Sequence, residues 1–166
     1  MSQQDKRFSE WMKTHLGVLH RIARAFAEPA DQHDLLQELM LAVWKAAPSF
    51  RGDSAPVTFI YRVAHNRAIT WRRRETGRRR RDADAQRTWE LSMDTAGDPD
   101  AVLLERLFAA IRKLALLDRS LMLLALDGVG HREIGALHGL SESNIGVRLH
   151  RARARITEIM ETDDGL

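Results

Sequence analysis

GHREIGALHGLSESNIGVRLHRARARI, residues Gly130 to Ile156, carries the most specific local pattern in the chain. Ile134 and Leu137 fall on the inward face of a short helix, and Gly135 is small where two helices would cross closely. Gly139 can take the positive φ of a tight turn, and Ser141 can cap the helix that follows. In that second helix Ile145, Leu149, Ala152 and Ile156 recur at helical spacing, which leaves Glu142, Ser143, Arg148, Arg151 and Arg155 outward. The spacing predicts a helix-turn-helix. Its second helix would place its first turn in a major groove, where side chains reach base edges and the helix dipole faces phosphate. An ordinary helical hairpin with a solvated arginine face has the same periodicity, but the coincidence of turn glycine, cap and basic second helix favours groove binding.

Upstream the same period continues, with no alternating strand pattern. Phe8, Trp11, Met12, Leu16, Leu19, Ile22, Ala23 and Phe26 make one apolar face of a long first helix ended near Pro29. Leu35, Leu36, Leu39, Met40, Val43 and Trp44 make a second, stopped by Pro48. A third runs from about Val57 to Arg74 or beyond, with Ile60, Val63, Ala64, Ala68 and Trp71 inward. Its other side carries Arg62, His65, Asn66, Ile69 and Arg73. Farther on, Asp98 and Pro99 read as N-cap and first position of a helix with Val102, Leu103, Leu107, Ile111 and Leu114 inward. The next carries Leu121, Met122, Leu124 and Ala125 and ends at Gly128.

Charge divides these helices into two groups. Residues 66 to 81 are strongly basic, with eight arginines against the single acid Glu75, whereas 82 to 100 turn acidic with Asp82, Asp84, Glu90, Asp94, Asp98 and Asp100, punctuated by Gly97 and Pro99. The expectation is therefore two small helical domains, 6–75 and 99–160, joined by an acidic, flexible linker over 76–98. The length of 166 residues and a 44% hydrophobic content allow one domain or two small ones.

Composition also limits the chemistry. The sequence pI is about 9.8 and the basic residues are mostly arginine, whose planar fork suits phosphates and guanine edges, so nucleic acid is the first expected partner. With no cysteine, disulfides and thiolate metal sites are excluded. The beginning MSQQDKRFSEWMK has no apolar signal core and no apolar run approaches the ~20 residues of a membrane span, so a cytoplasmic protein without membrane insertion is expected. On the same ground the Arg51-Gly52-Asp53 triplet is read as a polar turn and not as an adhesion ligand. His131 and His138, and His15 and His20, lack a third ligand at metal-site spacing, and no phosphate-cradling glycine loop or nucleophile elbow occurs. No catalytic residue, cofactor or metal is expected.

The exposed side of the third helix mixes guanidinium, imidazole and amide groups behind a loop containing Gly52 and Pro56. Such a face suits single-stranded or partly opened nucleic acid, because stacking contributes roughly 1–3 kcal/mol per base and flipping a base costs a few. Phe59 alone is read as part of the helical core.

The succession of DLLQELMLAVWKAAPSFRGDSAPVTFIYRVAHNRAITWRRR (34–74), an acidic stretch, and EIGALHGLSESNIGVRLHRARARI (133–156) resembles the extracytoplasmic-function sigma factors, the small two-domain branch of the sigma-70 family. The resemblance covers residues 6 to about 160. It implies an RNA polymerase sigma factor that binds core polymerase, recognises two promoter elements and helps open the duplex without catalysing a reaction. Asp34, Gln37, Glu38, Leu41, Trp44 and Lys45 match the helix that docks on the clamp helices of the largest subunit. The loop from Phe50 to Thr58, with Arg51, Gly52, Asp53, Ser54 and Thr58, matches the one that captures a flipped base of the minus-10 element. Phe59, Tyr61, Arg62, His65, Asn66 and Arg73 follow where the next helix touches that element. Ser141, Glu142, Ser143, Asn144, Arg148 and Arg151 lie on the helix matched to minus-35 recognition. The flap of the second-largest subunit, double-stranded and melted promoter DNA, and an anti-sigma factor are the other partners implied. The linker would thread toward the active-site channel of polymerase.

Departures from the family pattern sit in the helix-turn-helix. Gly130 and Gly135 replace the more usual Ser or Thr and Ala, and interior glycines would weaken the helix by roughly 0.5–1 kcal/mol each. Gly146 and Val147 stand where polar contacts are common, so promoter sequence does not carry over. A stand-alone regulator that never engages polymerase is the competing expectation.

Overall fold

The computed structural model describes residues 2–82 and 98–164. Among these residues there are helices and turns only. The seven α-helices are α1 (Gln3–Phe26), α2 (Gln32–Ala46), α3 (Pro56–Asp82), α4 (Pro99–Arg112), α5 (Leu116–Leu126), α6 (His131–His138) and α7 (Glu142–Asp164).

Helices α1 to α3 form the first bundle. Ser2 opens α1 with a capping box: its hydroxyl accepts from Asp5 N (3.1 Å), and its own N–H donates to Asp5 Oδ2 (2.9 Å). Asp5 also accepts from Trp44 Nε1 (3.0 Å), and Gln4 and Arg7 donate to the carbonyls of Trp44 and Ala47, so the start of α1 is tied to the end of α2. Leu19, Ile22 and Phe26 of α1 meet Leu35, Leu39 and Val43 of α2 and Ile60, Ala64 and Ala68 of α3, all fully buried. Each large side chain so buried contributes about 1.5–3 kcal/mol relative to exposure. Where the chain crosses from α2 to α3, Phe50 meets Trp11 edge-on with ring centroids 5.3 Å apart, and Phe59 lies 5.2 Å from Phe50. Phe59 is thus a core residue.

Helix α3 continues past residue 75 to Asp82, so the first part of the stretch expected as linker is helical. Arginine is a good helix former, and the lone Gly77 is too small an interruption to end the helix. The rest of the expected acidic linker, 83–97, lies outside the described residues.

Helices α4 to α7 build the second module. The Asp98 carboxylate accepts from Asp100 N (3.0 Å) and Pro99 begins α4. Phe108, Ile111, Leu121, Leu124, Ile134, Ile145 and Leu149 fill its core. Two residues expected inside are outside: Val102 is 41% and Leu103 52% exposed, beside Leu104 at 43%. Burial along α4 begins only in its second half, where α1 and α7 lie alongside.

The modules pack against each other. The Arg24 guanidinium lies 4.4 Å from the Phe108 ring centroid and donates to Glu105, which also accepts from Arg112 (2.8 Å). Arg112 donates to Arg24 O (3.0 Å), and Arg21 pairs with Asp127 at 2.6 Å. Buried Arg119 donates to Leu114 O (2.8 Å) and to Ala25 O (3.4 Å). Burial first, and then the Arg72 charge, bring its pKa down to about 10, so it remains protonated at neutral pH.

Candidate nucleic-acid interface

The second module begins its helix-turn-helix with α6, and the turn is built by glycine for two separate reasons. Gly139 closes α6 at φ 67°, the left-handed region that favours glycine. Gly135 is fully enclosed: a Cβ there would stand 2.5 Å from Leu140 O, the carbonyl of the turn itself. The expectation that Gly135 weakens the helix is therefore incomplete, because this backbone path admits no larger residue. Gly130 is the N-cap of α6 and not an interior position, so it carries no interior helix penalty.

Ser141 caps α7 by accepting from Asn144 N at 3.2 Å. Its hydroxyl is occupied by the helix start, so Glu142, Ser143 and Asn144 are the exposed side chains of the first turn. Arg151 is exposed on the same helix, with Val147 at 48% exposure between them. Arg148, expected outward, is half-buried because Asp118 of α5 holds it at 2.8 Å. The apolar face of α7, Ile145, Leu149, Ala152 and Ile156, is buried as its spacing predicts.

In the first module the loop residues Arg51, Gly52, Asp53 and Ser54 are exposed, with Gly52 at φ 86°. Arg62, Asn66 and Arg73 are exposed along α3. Tyr61 and His65 are not: they are 3% and 6% exposed, against the expectation that His65 lies on an open face. The reason is α5, which lies over this side of α3. The Tyr61 hydroxyl donates to Ser120 O, and the His65 imidazole meets the Ser120 hydroxyl. Because that hydroxyl donates to Leu116 O (3.0 Å), the imidazole is the donor, which assigns the proton to Nε2. Burial, and then the neighbouring His138, hold the His65 pKa down at about 4. Burial first, and then the Asp127 charge, raise the Tyr61 phenol well above its ordinary range. Thr58 donates to Glu133 of α6 at 3.0 Å. Beside these contacts a cleft of about 410 Å³ remains between the modules, lined by Arg62, Asn66, Ile69, Arg73, Leu117 and His138.

On α2, Asp34, Gln37, Leu41 and Lys45 are exposed, Leu41 at 50%. Glu38 is drawn back by Arg67 (2.5 Å), and Trp44 by its bond to Asp5, so those two are less free than the pattern suggested. Sequence reasoning missed Arg119 and Ser120. A charged residue inside LLDRSLMLLAL was the available signal that this apolar helix meets more than its own module. Among the described residues no cluster of histidine and acidic side chains could hold a metal ion, and no helix is long and apolar enough to cross a membrane.

A three-helix module followed by a helix-turn-helix module defines a class of two-part DNA-binding factor. Sigma-70 region 2 matches residues 11–78, and sigma-70 region 4 matches residues 104–156. The chain belongs to the sigma-70 family, in its extracytoplasmic-function branch, and its function is that of an RNA polymerase sigma factor and not of a stand-alone regulator. It is 26% identical over 162 residues to the RNA polymerase sigma factor NccH of Alcaligenes xylosoxydans xylosoxydans, covering 93% of this chain and 87% of that one. It is 28% identical over 152 residues to the sigma-E factor of Escherichia coli K12, covering 82% and 79%. The fold is similar to that of the sigma factor RpoE in its co-crystal structure with the anti-sigma factor NepR from Bartonella quintana, with TM-score 0.71, 22% identity and coverage of 95% and 99%. It is also similar to CnrH in complex with the cytosolic domain of CnrY, with TM-score 0.62, 23% identity and coverage of 94% and 88%.

Proposed function

We propose that the outward face of α2, with Asp34, Gln37, Leu41 and Lys45, docks on the clamp helices of the largest subunit of core RNA polymerase. The 50–58 loop and the α3 residues Tyr61, Arg62, His65, Asn66 and Arg73 then take the minus-10 element, and the first turns of α7 take the minus-35 element. The observation that supports this division most is the placement of exposed guanidinium and amide groups on both modules, Arg62, Asn66 and Arg73 on α3 and Asn144 and Arg151 on α7. On α7 the helix start supplies backbone N–H groups for phosphate while Asn144 and Arg151 reach toward bases and backbone. On α3 the amide of Asn66 is placed to hold an unpaired base, and the arginines to hold the strand.

The exposed apolar end of α4, Val102, Leu103 and Leu104, supports a protein contact there, which we assign to the flap of the second-largest subunit. The structurally similar sigma factor RpoE was solved in complex with the anti-sigma factor NepR, and we assign this chain a partner of that kind. The protein works in the cytoplasm, catalyses no step itself, and leaves bond formation to the polymerase. Residues 83–97 would run toward the active-site channel.

Mixing the purified chain with bacterial core polymerase, followed by run-off transcription on a genomic fragment library, tests this reading. A stable complex and discrete start sites are expected. Absence of a complex would overturn it.

A further inference from the structure

Arg62, Asn66, Ile69 and Arg73 follow one another on α3 at spacings of four, three and four residues, so they form a single stripe. That stripe is one wall of the cleft of about 410 Å³ at the seam between the modules. The other wall belongs to α5 and α6 and is apolar, with Leu116, Leu117 and Leu137 beside the half-buried ring of His138. A second cavity of about 360 Å³ shares Arg73 and Leu116 with the first and adds Arg72 and Thr76, so the groove continues along α3.

The arginines at other contacts between helices are matched by carboxylates: Arg21 by Asp127, Arg24 and Arg112 by Glu105, and Arg67 by Glu38. Arg62 and Arg73 have no ion pair among the described residues, and Arg62 lies 5.8 Å from the Phe59 ring centroid. Two unmatched cations facing leucines suit an anion with an apolar body. Inside a cleft the guanidinium fork attracts such an anion more strongly than on an open surface, because less water intervenes. The two arginines stand about 16 Å apart along the helix, so charge is wanted at two separated points. A fatty acid, charged at one end, meets only half of this pattern. The volume lies in the range of small-molecule sites, roughly 300–1,000 Å³.

We propose that the cleft is a binding site for a nucleoside that carries phosphate on both sides of its sugar. Arg62 takes one phosphate and Arg73 the other, the base lies against Leu116, Leu117 and Leu137, and the Asn66 amide meets its edge. The bound ligand touches both modules and therefore holds them together. It also occupies the guanidinium and amide groups assigned above to the promoter strand, so it excludes that strand. The exclusion rests on the assignment of α3, whereas the site itself does not.

Adenosine 3′,5′-bisphosphate is the probe, titrated into the free full-length chain by calorimetry. One saturable site is expected, with adenosine monophosphate and inorganic pyrophosphate at least tenfold weaker. Leu117→Asp sets a carboxylate on the apolar wall at the second position of α5, where an acid suits a helix start. It should leave helical circular dichroism unchanged and lower the affinity about tenfold, as should Arg73→Gln, while Arg151→Gln on α7 should have no effect. Absence of a saturable site, equal affinity for pyrophosphate, or affinity unchanged in both Leu117→Asp and Arg73→Gln would overturn the site.

Run-off transcription with core polymerase tests the exclusion. Bisphosphate added to the chain before polymerase should lower the yield several-fold, and Leu117→Asp should transcribe as the unmodified chain does and resist the ligand. An undiminished yield at saturating ligand, or equal inhibition of both chains, would overturn the exclusion of the strand. Absence of any product without ligand would overturn the sigma-factor reading, and calorimetry decides the site independently of either result.

Discussion

The Tyr61 hydroxyl donates a 2.8 Å hydrogen bond to Ser120 O, joining α3 of the first module to α5 of the second. The hydroxyl bond crosses between the modules and stabilises their contact, while the ring stacks on His65 of the same helix. Tyr61→Phe keeps the ring and removes the bond, so about 1 kcal/mol of contact stability should be lost. For a chain of this size that corresponds to a fall in Tm of roughly 2–4 °C if both modules melt together. An unchanged melting curve would show that the bond contributes nothing net.

The seam should weaken in acid. His65 is neutral where it is buried, with a pKa of about 4 against an ordinary 6.5, and it faces Tyr61, Phe26, Ser120 and His138 from the surrounding helices. Burial lowers the pKa of His138 too. Both depressed values mean that the packed state binds fewer protons than the open one. Its stability is fully present above pH ~6.5 and is lost as the pH falls toward about 4. Urea unfolding compared at about pH 7.5 and pH 5 should give a lower midpoint in acid; equal midpoints would refute the assignment.

The two glycines of α6 should behave oppositely. Gly135→Ala drives a Cβ into Leu140 O, a backbone atom that moves only if the turn moves, and overpacking of this kind costs typically 1–3 kcal/mol. Gly130→Ser has open space and supplies an N-cap hydroxyl, worth a few tenths of a kcal/mol. Thermal melts of the two variants side by side would decide the matter, and equal Tm values would contradict it.

Arg151→Ala should weaken binding to duplex DNA and reduce the salt slope by about 1, because one neutralised phosphate is lost. Arg148 is held by Asp118, so Asp118→Ala should release it and change affinity at constant protein fold. Titrations at several salt concentrations check both, and an unchanged slope in Arg151→Ala would place that arginine on a solvated face.

Asn66→Ala should impair strand opening more than duplex binding, since the amide is exposed on α3 between exposed Arg62 and Arg73. Permanganate footprinting of the opened strand, set against binding to a pre-melted template, measures the difference. Equal losses in the two assays would remove the division of labour.

The helices were legible in the sequence because each carries its own apolar stripe. The glycine at Gly139 and the cap at Ser141 are local devices and were equally legible. What eluded the sequence were relationships between residues far apart in the chain. Nothing near Tyr61 or His65 announces Ser120, and the period of α3 assigns His65 to an outward face that α5 then covers. Val102 and Leu103 show the converse: apolar spacing promised burial, but among the described residues nothing covers this part of α4. Arg148 was legible as a basic residue, and its pairing with Asp118 across two helices was not.

The placement of Glu105 between Arg24 and Arg112 has a consequence for how the factor would respond to electrolyte. Charges only partly shielded from water are screened over about 8 Å at physiological ionic strength, so added potassium salt loosens the module contact. The same salt weakens the hold of arginine on phosphate. Along a potassium series the contact between the modules should therefore loosen while the affinity for duplex DNA falls, and hydrodynamic radius and DNA titration read the two effects separately.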